Sequence, residues 1–142
     1  MSGEDRIVAT ARRWIGTPYL HQGAMRGVGC DCLGLLRGVW RDLFGAEPER
    51  PPPYAADWAE ASAEEALARA AARHLLPVAG LAFAPGDVLL FRWREGLPAK
   101  HCAIASDAAH MIHAHEGAAV AEVAIRPWRR RLAFVFRFPP MK

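Results

Sequence analysis

The residues with the clearest potential for chemistry are two thiols in a glycine-rich stretch, Cys30 and Cys32. Beyond them, apolar residues recur at the three-and-four spacing that is typical of one helix face: Leu35, Leu36, Val39, Trp40 and Leu43. Gly45 follows at the usual place of a left-handed helix cap. The pattern predicts that Cys32 lies at or beside the N-terminus of a buried helix that extends to about Phe44. There, backbone N–H groups and the helix dipole favour a thiolate, the nucleophilic form of cysteine.

A nucleophilic cysteine needs a general base within hydrogen-bonding reach, and the base is more effective when a third group orients it. Histidines occur on two successive predicted strands, which run over residues 101–106 and 110–115. A hairpin centred on Asp107, a residue that tolerates a left-handed turn position, places His101 directly opposite His113. Directly opposed side chains share one face of a sheet. A two-residue turn would instead pair His101 with Ala114, and pairing with His115 needs the turn one residue further on.

Other interpretations of the same residues remain open. A lone cysteine on a helix is usually a small core residue, and a lone histidine on a strand is usually just hydrogen-bonded there. A metal site on Cys30, Cys32 and the histidines is a further alternative, but the C-x-C spacing is tighter than in a usual zinc knuckle, so we predict no metal. Cys102 alternates with His101 along its strand and is predicted to be buried on the opposite face. Cys30 is either a structural thiol or a reversible partner of Cys32.

The elements that must position these residues begin with two helices. Ser2 and Asp5 resemble a capping box for an amphipathic helix that ends at Gly16. A loop over residues 17–29 then leads into the cysteine helix.

A proline-rich connector and an alanine-rich helix, capped by Asp57 or Ser62, are predicted over residues 47–76. Short predicted strands follow over residues 88–93, 101–106, 110–115, 120–125 and 132–138. Helices followed by an antiparallel meander predict an α+β fold, with the helices packed on one side of a five- to six-stranded antiparallel sheet or small barrel. Gly34 and Gly38 in the cysteine helix are predicted to pack closely against that sheet.

The composition is that of an ordinary globular domain, with 142 residues, 52% of them hydrophobic and 23% charged. We therefore predict one catalytic domain over residues 1–142. The net charge is +3, and the cluster Arg129–Arg131 lacks an accompanying aromatic basic face, so nucleic acid is not an expected partner. Neither a membrane-spanning apolar run nor the apolar core of a signal peptide is recognisable. We expect synthesis in the cytoplasm, no export by a standard signal and no membrane partner.

Five short motifs occur in this chain order: Tyr19, Asp31-Cys32-x-Gly34-Leu35, Pro85-Gly86-Asp87-Val88, His101-x-Ala103-Ile104 and Ile112-His113-Ala114. Together they resemble the NlpC-type cell-wall peptidases, which are papain-like cysteine hydrolases of bacterial peptidoglycan. The resemblance extends from about Ile7 to Phe138 and is greatest to the short branch encoded in phage tail modules and gene transfer agents. The chain departs from the family at residues 20–23, where Trp-Gly-Gly is common, and at Leu33, where a small polar residue is usual. Both departures lie where a substrate would bind.

The resemblance implies a papain-like NlpC-type fold without a cofactor or a metal, and it implies roles for five residues. Cys32 would be the nucleophile, His101 the general base, and His113 the group that orients the imidazole of His101. Tyr19 would form the oxyanion site together with the backbone N–H of Cys32. Asp31 would shape the loop or a substrate subsite.

The implied activity is hydrolysis of a peptide-stem amide of peptidoglycan through a thioester, often at the bond between γ-D-glutamate and meso-diaminopimelate. The implied partners are the stem peptide and the proteins of a phage tail or gene-transfer-agent particle, which would carry the protein to the periplasm. Two other functions remain open. One is a non-catalytic structural protein of a tail tip, and the other is an amidase or acyltransferase on another amide, because the same triad serves many amides.

Overall fold

The computed structural model of the chain describes residues 2–49 and 65–141. Over those residues the helices are α1 (Gly3–Arg12), α2 (Cys32–Phe44) and α3 (Ala66–His74). The strands are β1 (Ala24–Met25), β2 (Gly29–Cys30), β3 (Leu76–Pro77), β4 (Val88–Arg92), β5 (Ala99–Ala105), β6 (His110–His113), β7 (Ala121–Ala124) and β8 (Leu132–Arg137). A 3-10 helix, Arg126–Arg131, connects β7 to β8. The helices-then-strands order confirms the predicted α+β class.

The two N-terminal helices begin where their capping residues predict. Asp5 N–H donates to Ser2 Oγ at 3.0 Å, and Ser2 N–H donates to Asp5 Oδ2 at 3.4 Å, which completes the capping box of α1. Helix α1 ends at Arg12, earlier than the predicted end at Gly16. Helix α2 ends at Phe44, and Gly45 follows with a φ of 91°, a conformation that glycine adopts without a Cβ clash.

The main sheet contains six antiparallel strands among the described residues, in the order β3-β8-β4-β5-β6-β7. Strands β4 to β7 form the predicted meander, but the last strand does not continue it. Strand β8 instead returns across the sheet and pairs with β4, where Phe136 lies opposite Val88. The prediction of a simple meander was therefore wrong for the last strand, because the 3-10 helix carries the chain back to the free edge of β4.

The sheet has one face against the helices and one face under the 3-10 helix. Alternate residues of β5, Cys102 and Ile104, share a core with Trp14 and Leu35 of the helical layer. The intervening Ala103 belongs to a second apolar cluster on the other face, with Leu89, Phe91, Ala105, Met111, Ile125, Leu132 and Val135. The helices thus pack on one side of the sheet, as predicted.

The β5–β6 hairpin has a different register from the predicted one. Ile104 pairs with Ile112 and Ala105 pairs with Met111. This register, extended along the strands, sets His113 opposite Ala103 instead of His101. The turn is longer than predicted, because Asp107 accepts a side-chain hydrogen bond from Ala109 N–H at 2.8 Å and Ser106 N–H donates to the His110 carbonyl at 2.9 Å.

The prediction of a left-handed conformation at Asp107 was also wrong. Within residues 2–49 and 65–141, the one non-glycine residue with a positive φ is Gln22, at 64°. The residue opposite His113 differs from the predicted one by two positions. Because side chains alternate along a strand with a period of two, His113 nevertheless stays on the predicted face.

Two glycines of α2 pack closely, but not against the sheet as predicted. A Cβ at Gly34 would lie 1.6 Å from the carbonyl oxygen of Gly23 in the preceding loop. A Cβ at Gly38 would lie 2.1 Å from the ring of Trp14, in the turn that follows α1. Glycine at these positions therefore lets the loop and α1 approach α2, and it fixes where the N-terminus of α2 sits.

The segment between α2 and the sheet is described in part. The proposed helix caps Asp57 and Ser62, with most of the proline-rich connector, lie outside the described residues. Glu65 at the start of α3 accepts a hydrogen bond from Ala99 N–H at 2.8 Å and bonds the guanidinium of Arg92. The predicted loop over residues 17–29 contains the short β1–β2 hairpin. Within residues 2–49 and 65–141, no helix has both the length and the apolar character that a membrane crossing requires.

Candidate active site

The N-terminus of α2 is fixed by the carboxylate of Asp31, which is buried. Its Oδ1 accepts a hydrogen bond from Gly34 N–H at 2.7 Å, which is the N-cap bond of the helix. Its Oδ2 accepts from Gln22 N–H at 2.8 Å and so ties the preceding loop to the same helix end. Cys32 is the first residue of α2. Asp31 therefore positions Cys32 through the backbone.

Cys32 is a half-buried residue, and the polar neighbours of its sulfur, Lys100, His101 and Cys102, all belong to β5. The nearby Cys102 side chain, and then that of His101, lower the pKa of the Cys32 thiol well below its ordinary value, against the opposing effect of burial. Its Sγ also lies 3.8 Å from the carbonyl oxygen of Lys100. Helix start, imidazole and neighbouring thiol thus all favour the thiolate.

His101 and His113 are in direct contact, although the predicted register was wrong. Nε2 of His101 lies 2.8 Å from Nδ1 of His113, and both residues are buried. Burial first, and then the charges of His101 and His115, lower the pKa of His113 to about 3. His113 is therefore neutral at pH 7, and its Nδ1 is the acceptor when His101 carries a proton on Nε2. That arrangement leaves Nδ1 of His101 for the Cys32 sulfur.

Two tryptophans cover the imidazole pair, and the sequence analysis did not single them out. The ring of Trp128 stacks on His101 at a centroid distance of 5.1 Å and meets the edge of His113 at 5.2 Å. Trp93 directly follows β4, and the centroid of its ring lies 5.3 Å from that of His101. These rings restrict the access of water to the His101–His113 hydrogen bond.

Trp128 lies within the predicted basic turn, so its neighbours on the chain are charged. The guanidinium of Arg131 lies over the Trp128 ring at 5.5 Å. The ring of His115 completes the cluster at 5.2 Å from Trp128, and burial lowers the pKa of His115 most, followed by the charge of His101. A tryptophan among arginines carries no helix or strand period, so the sequence held no signal for this contact.

Tyr19 lies beside Cys30 in an isolated bridge between the loop and β2. Burial, and next the charge of Cys32, raise the pKa of the Tyr19 phenol to about 12. The phenol is therefore a neutral O–H donor near the predicted nucleophile. The structure brings Tyr19, Asp31 and Cys32 to one side of the site, while β5 and β6 supply His101 and His113.

The other two thiols have different surroundings. Cys30 is fully buried, and burial, followed by the nearby Asp31 charge, raises its pKa to about 12. Cys102 is buried on the predicted face, and in addition its Sγ donates to the carbonyl oxygen of Cys32 at 3.2 Å. The sequence analysis predicted the burial of Cys102 but missed this contact. Among the described residues, no group of three or more histidine, cysteine or acidic side chains is arranged to hold a metal ion.

The NlpC/P60 family model matches residues 16–137 of the chain, which include the whole site. The chain belongs to the NlpC/P60 family. It is a papain-like cysteine peptidase domain of this family of peptidoglycan hydrolases, with the α+β fold that the motifs implied. No curated protein matches the chain.

Solved structures share the NlpC/P60 fold at low sequence identity. The NlpC/p60 domain of the peptidoglycan hydrolase SagA is 22% identical with a TM-score of 0.66, over 96% of this chain and 100% of that one. A family protein from Bacillus cereus is 19% identical with a TM-score of 0.69, over 98% of this chain and 41% of its own. NlpC1 from Trichomonas vaginalis is 16% identical with a TM-score of 0.69, over 97% and 45%. The chain thus spans all of the SagA domain and less than half of the other two proteins.

Proposed function

We propose that this NlpC/P60 domain hydrolyses a peptide-stem amide bond of bacterial peptidoglycan through a thioester on Cys32. The observation that carries the proposal is the placement of Cys32 at the start of α2 beside His101, which helps to lower the pKa of the thiol and whose Nε2 lies 2.8 Å from Nδ1 of a neutral His113. A nucleophile, a base and an orienting group in that order form the arrangement that covalent amide hydrolysis requires.

In the first step, Nδ1 of His101 holds the proton of Cys32, and the thiolate attacks the carbonyl carbon of the amide. The developing oxyanion accepts hydrogen bonds from the backbone N–H of Cys32 and from the phenol of Tyr19, which stays protonated because its pKa is raised to about 12. The N-terminus of α2 adds a favourable dipole. Removing one oxyanion donor from such a site typically costs about 2.7–4 kcal/mol in the transition state.

In the second step, the C–N bond breaks and the imidazolium of His101 protonates the leaving amine. The acyl group remains on Sγ as a thioester. His101 then removes a proton from a water molecule, the hydroxide adds to the thioester carbonyl, and the thiolate leaves. Throughout, His113 accepts the Nε2–H of His101 and so stabilises the imidazolium in the correct orientation.

The peptidoglycan stem is the substrate class that family membership favours. The similar SagA domain is described as part of a peptidoglycan hydrolase, which supports the same class of substrate here. Within the stem, we propose the bond between γ-D-glutamate and meso-diaminopimelate. We expect the departures at residues 20–23 and Leu33 to adjust which stem is accepted.

Digestion of defined muropeptides, followed by mass spectrometry of the products, tests the proposal. The parent protein is expected to cut the stem at one amide, Cys32→Ala is expected to release no product, and Cys30→Ala is the matched control with product formation retained. Cleavage of a non-wall amide in place of the stem would support an amidase or acyltransferase instead. No turnover of any amide by a folded parent protein would overturn the catalytic proposal and favour a structural role.

We further propose that the protein is delivered to the periplasm as a component of a phage tail or gene-transfer-agent particle. The support is the resemblance of its motifs to the short branch of the family in such particles. Detection of the protein in purified particles by mass spectrometry, with the cytosolic and periplasmic fractions as comparisons, tests this. Detection in the cell fractions and absence from purified particles would overturn the delivery proposal and leave the hydrolase proposal standing.

A further inference from the structure

A β-bulge interrupts β5 directly before His101. Phe91 of β4 lies opposite His101, whereas the next residue of β4, Arg92, lies opposite Ala99. Lys100 is therefore an extra residue, so that two positions of β5 face one position of β4. Bulges re-aim side chains and occur often beside active sites. The direction of the His101 side chain thus depends on how the chain is held at the bulge.

The bulge turns the two residues that flank it towards different sides of the sheet. In a regular strand, Ala99 and His101 would share one face, because side chains alternate. Ala99 is instead fully buried in the core on the helical side, whereas Phe91, the partner of His101, belongs to the cluster on the other face. The carbonyl oxygen of Lys100, in the bulge itself, lies 3.8 Å from Sγ of Cys32. The bulge therefore sets two of the groups that surround the nucleophile.

A carboxylate at the start of α3 holds the bulge from the helical side. Glu65 occupies the N-cap position of α3, but its side chain bonds the sheet instead of capping the helix. Its Oε1 accepts a hydrogen bond from Ala99 N–H at 2.8 Å, and its Oε2 bonds Nη1 of Arg92. Because Arg92 lies opposite Ala99, one carboxylate ties both strands together at the bulge.

The guanidinium of Arg92 is itself held in place. Its Nη1 also donates to the carbonyl oxygen of Leu97 at 2.7 Å, in the loop that joins β4 to β5. The guanidinium carbon lies over the ring of Phe134 at 5.4 Å. Glu65 therefore has a fixed partner on β4 and does not depend on a mobile surface charge.

We propose that Glu65 is a positioning residue, which holds the bulge of β5 and so sets the direction in which His101 faces Cys32. The proposal rests on the proposed function, in which Cys32 is the nucleophile and His101 is the base. Ala99 is buried, so water does not readily replace a lost acceptor at its N–H, and the bulge relaxes when the carboxylate is removed. A misplacement of about 1 Å at reacting groups can cost about 100-fold in rate.

The first test is muropeptide cleavage by Glu65→Ala, with kcat and KM measured separately. We expect kcat to fall by about 10-fold to 100-fold with little change in KM, because the substitution moves the base and removes no contact with the substrate. Glu65→Gln keeps an acceptor for Ala99 N–H and is expected to recover most of the kcat. Glu49→Gln is the matched control with parental kcat, because Glu49 also precedes α3 but bonds Arg73 and His74 of that helix.

The second test is the rate of Cys32 alkylation by iodoacetamide as a function of pH, with the labelled position identified by peptide fragmentation in mass spectrometry. The thiolate is the reacting form, and His101 helps to stabilise it. In Glu65→Ala the profile is expected to shift to higher pH, with the rate on the acid side of the parent's midpoint about tenfold lower. Removal of a negative charge by itself would favour the thiolate and shift the profile to lower pH. The sign of the shift therefore separates a displaced His101 from a lost charge.

Both tests are run at a temperature at which thermal melting shows every variant to be folded. Arg92→Met provides a second variant, which removes the other partner of Glu65 and is expected to lower kcat several-fold. Parental kcat and an unshifted profile in Glu65→Ala and in Arg92→Met would overturn the proposal, as would an equal loss in Glu49→Gln.

The alkylation readout needs no wall substrate, so the two proposals fail in different ways. A shift to higher pH in a protein that cuts no muropeptide would uphold the role of Glu65 and refute the proposed substrate. Equal cleavage by the parent and by Glu65→Ala, with coinciding profiles, would refute the role of Glu65 and leave the proposed function standing.

Discussion

Replacement of His113 by leucine removes the acceptor for the Nε2–H of His101 and introduces no charge. Both rings are buried, with His101 3% and His113 5% exposed, so water does not readily replace the lost partner. A buried donor left unpaired costs about 1–3 kcal/mol. At about 1.36 kcal/mol for each factor of ten in rate, kcat/KM is expected to fall about 5-fold to about 150-fold.

The assay is muropeptide cleavage at saturating and limiting substrate, with two comparison variants. His113→Asn places a side-chain amide atom near the position of Nδ1 and is expected to recover part of the loss. His110→Ala is the matched control, because His110 begins the same strand but is exposed and bonds Asp107. An unchanged kcat/KM in His113→Leu, with a normal His110→Ala, would refute the assignment of His113 as the group that orients His101.

Three further outcomes follow from the packing and the charges. Gly38→Ala, whose Cβ would lie 2.1 Å from the Trp14 ring, is expected to lower the free energy of unfolding by about 1–3 kcal/mol in a denaturant titration; no loss would contradict the close approach of α1 and α2. Burial lowers the pKa of His113 from 6.5 to about 3, so between these values the unfolded chain takes up a proton that the folded protein does not. The free energy of unfolding should therefore be at its full value above pH 6.5 and should fall as the pH drops toward about 3. Compared with His113→Asn, the parent should lose up to about 1.4 kcal/mol per pH unit in that window, and parallel curves would contradict the burial of a neutral imidazole. Trp128→Ala is expected to lower kcat several-fold and Trp128→Phe less, because the ring covers the His101–His113 bond; equal kcat for both variants and the parent would contradict that role.

The sequence predicted the helix that carries Cys32 because several signals agreed. The three-and-four spacing of apolar residues, Asp31 at the N-cap and Gly45 at the C-terminus all indicate the same boundaries, and α2 has them. The predicted shared face of His101 and His113 was also correct, since it depends on the parity of strand positions. The exact register was wrong, because Asp107 makes a longer turn than its residue type alone indicates.

Contacts between distant segments had no such signal. The approach of Cys102 to Cys32 depends on how α2 lies on β5, and the cover of Trp128 over His101 depends on the return of β8 to β4. Gly38 was recognised as a close-packing point, but its partner is Trp14 in the turn after α1 and not the sheet. In each case residue type predicted that a contact would form, and tertiary packing selected the partner.

The most direct measurement of the central claim is mass spectrometry of the protein after an acid quench during muropeptide turnover. The account predicts that the peptide containing Cys32 gains the mass of the acyl part of the cleaved stem, and that Cys32→Ala shows neither this adduct nor product. Release of the same products by Cys32→Ala at the rate of the parent would contradict it.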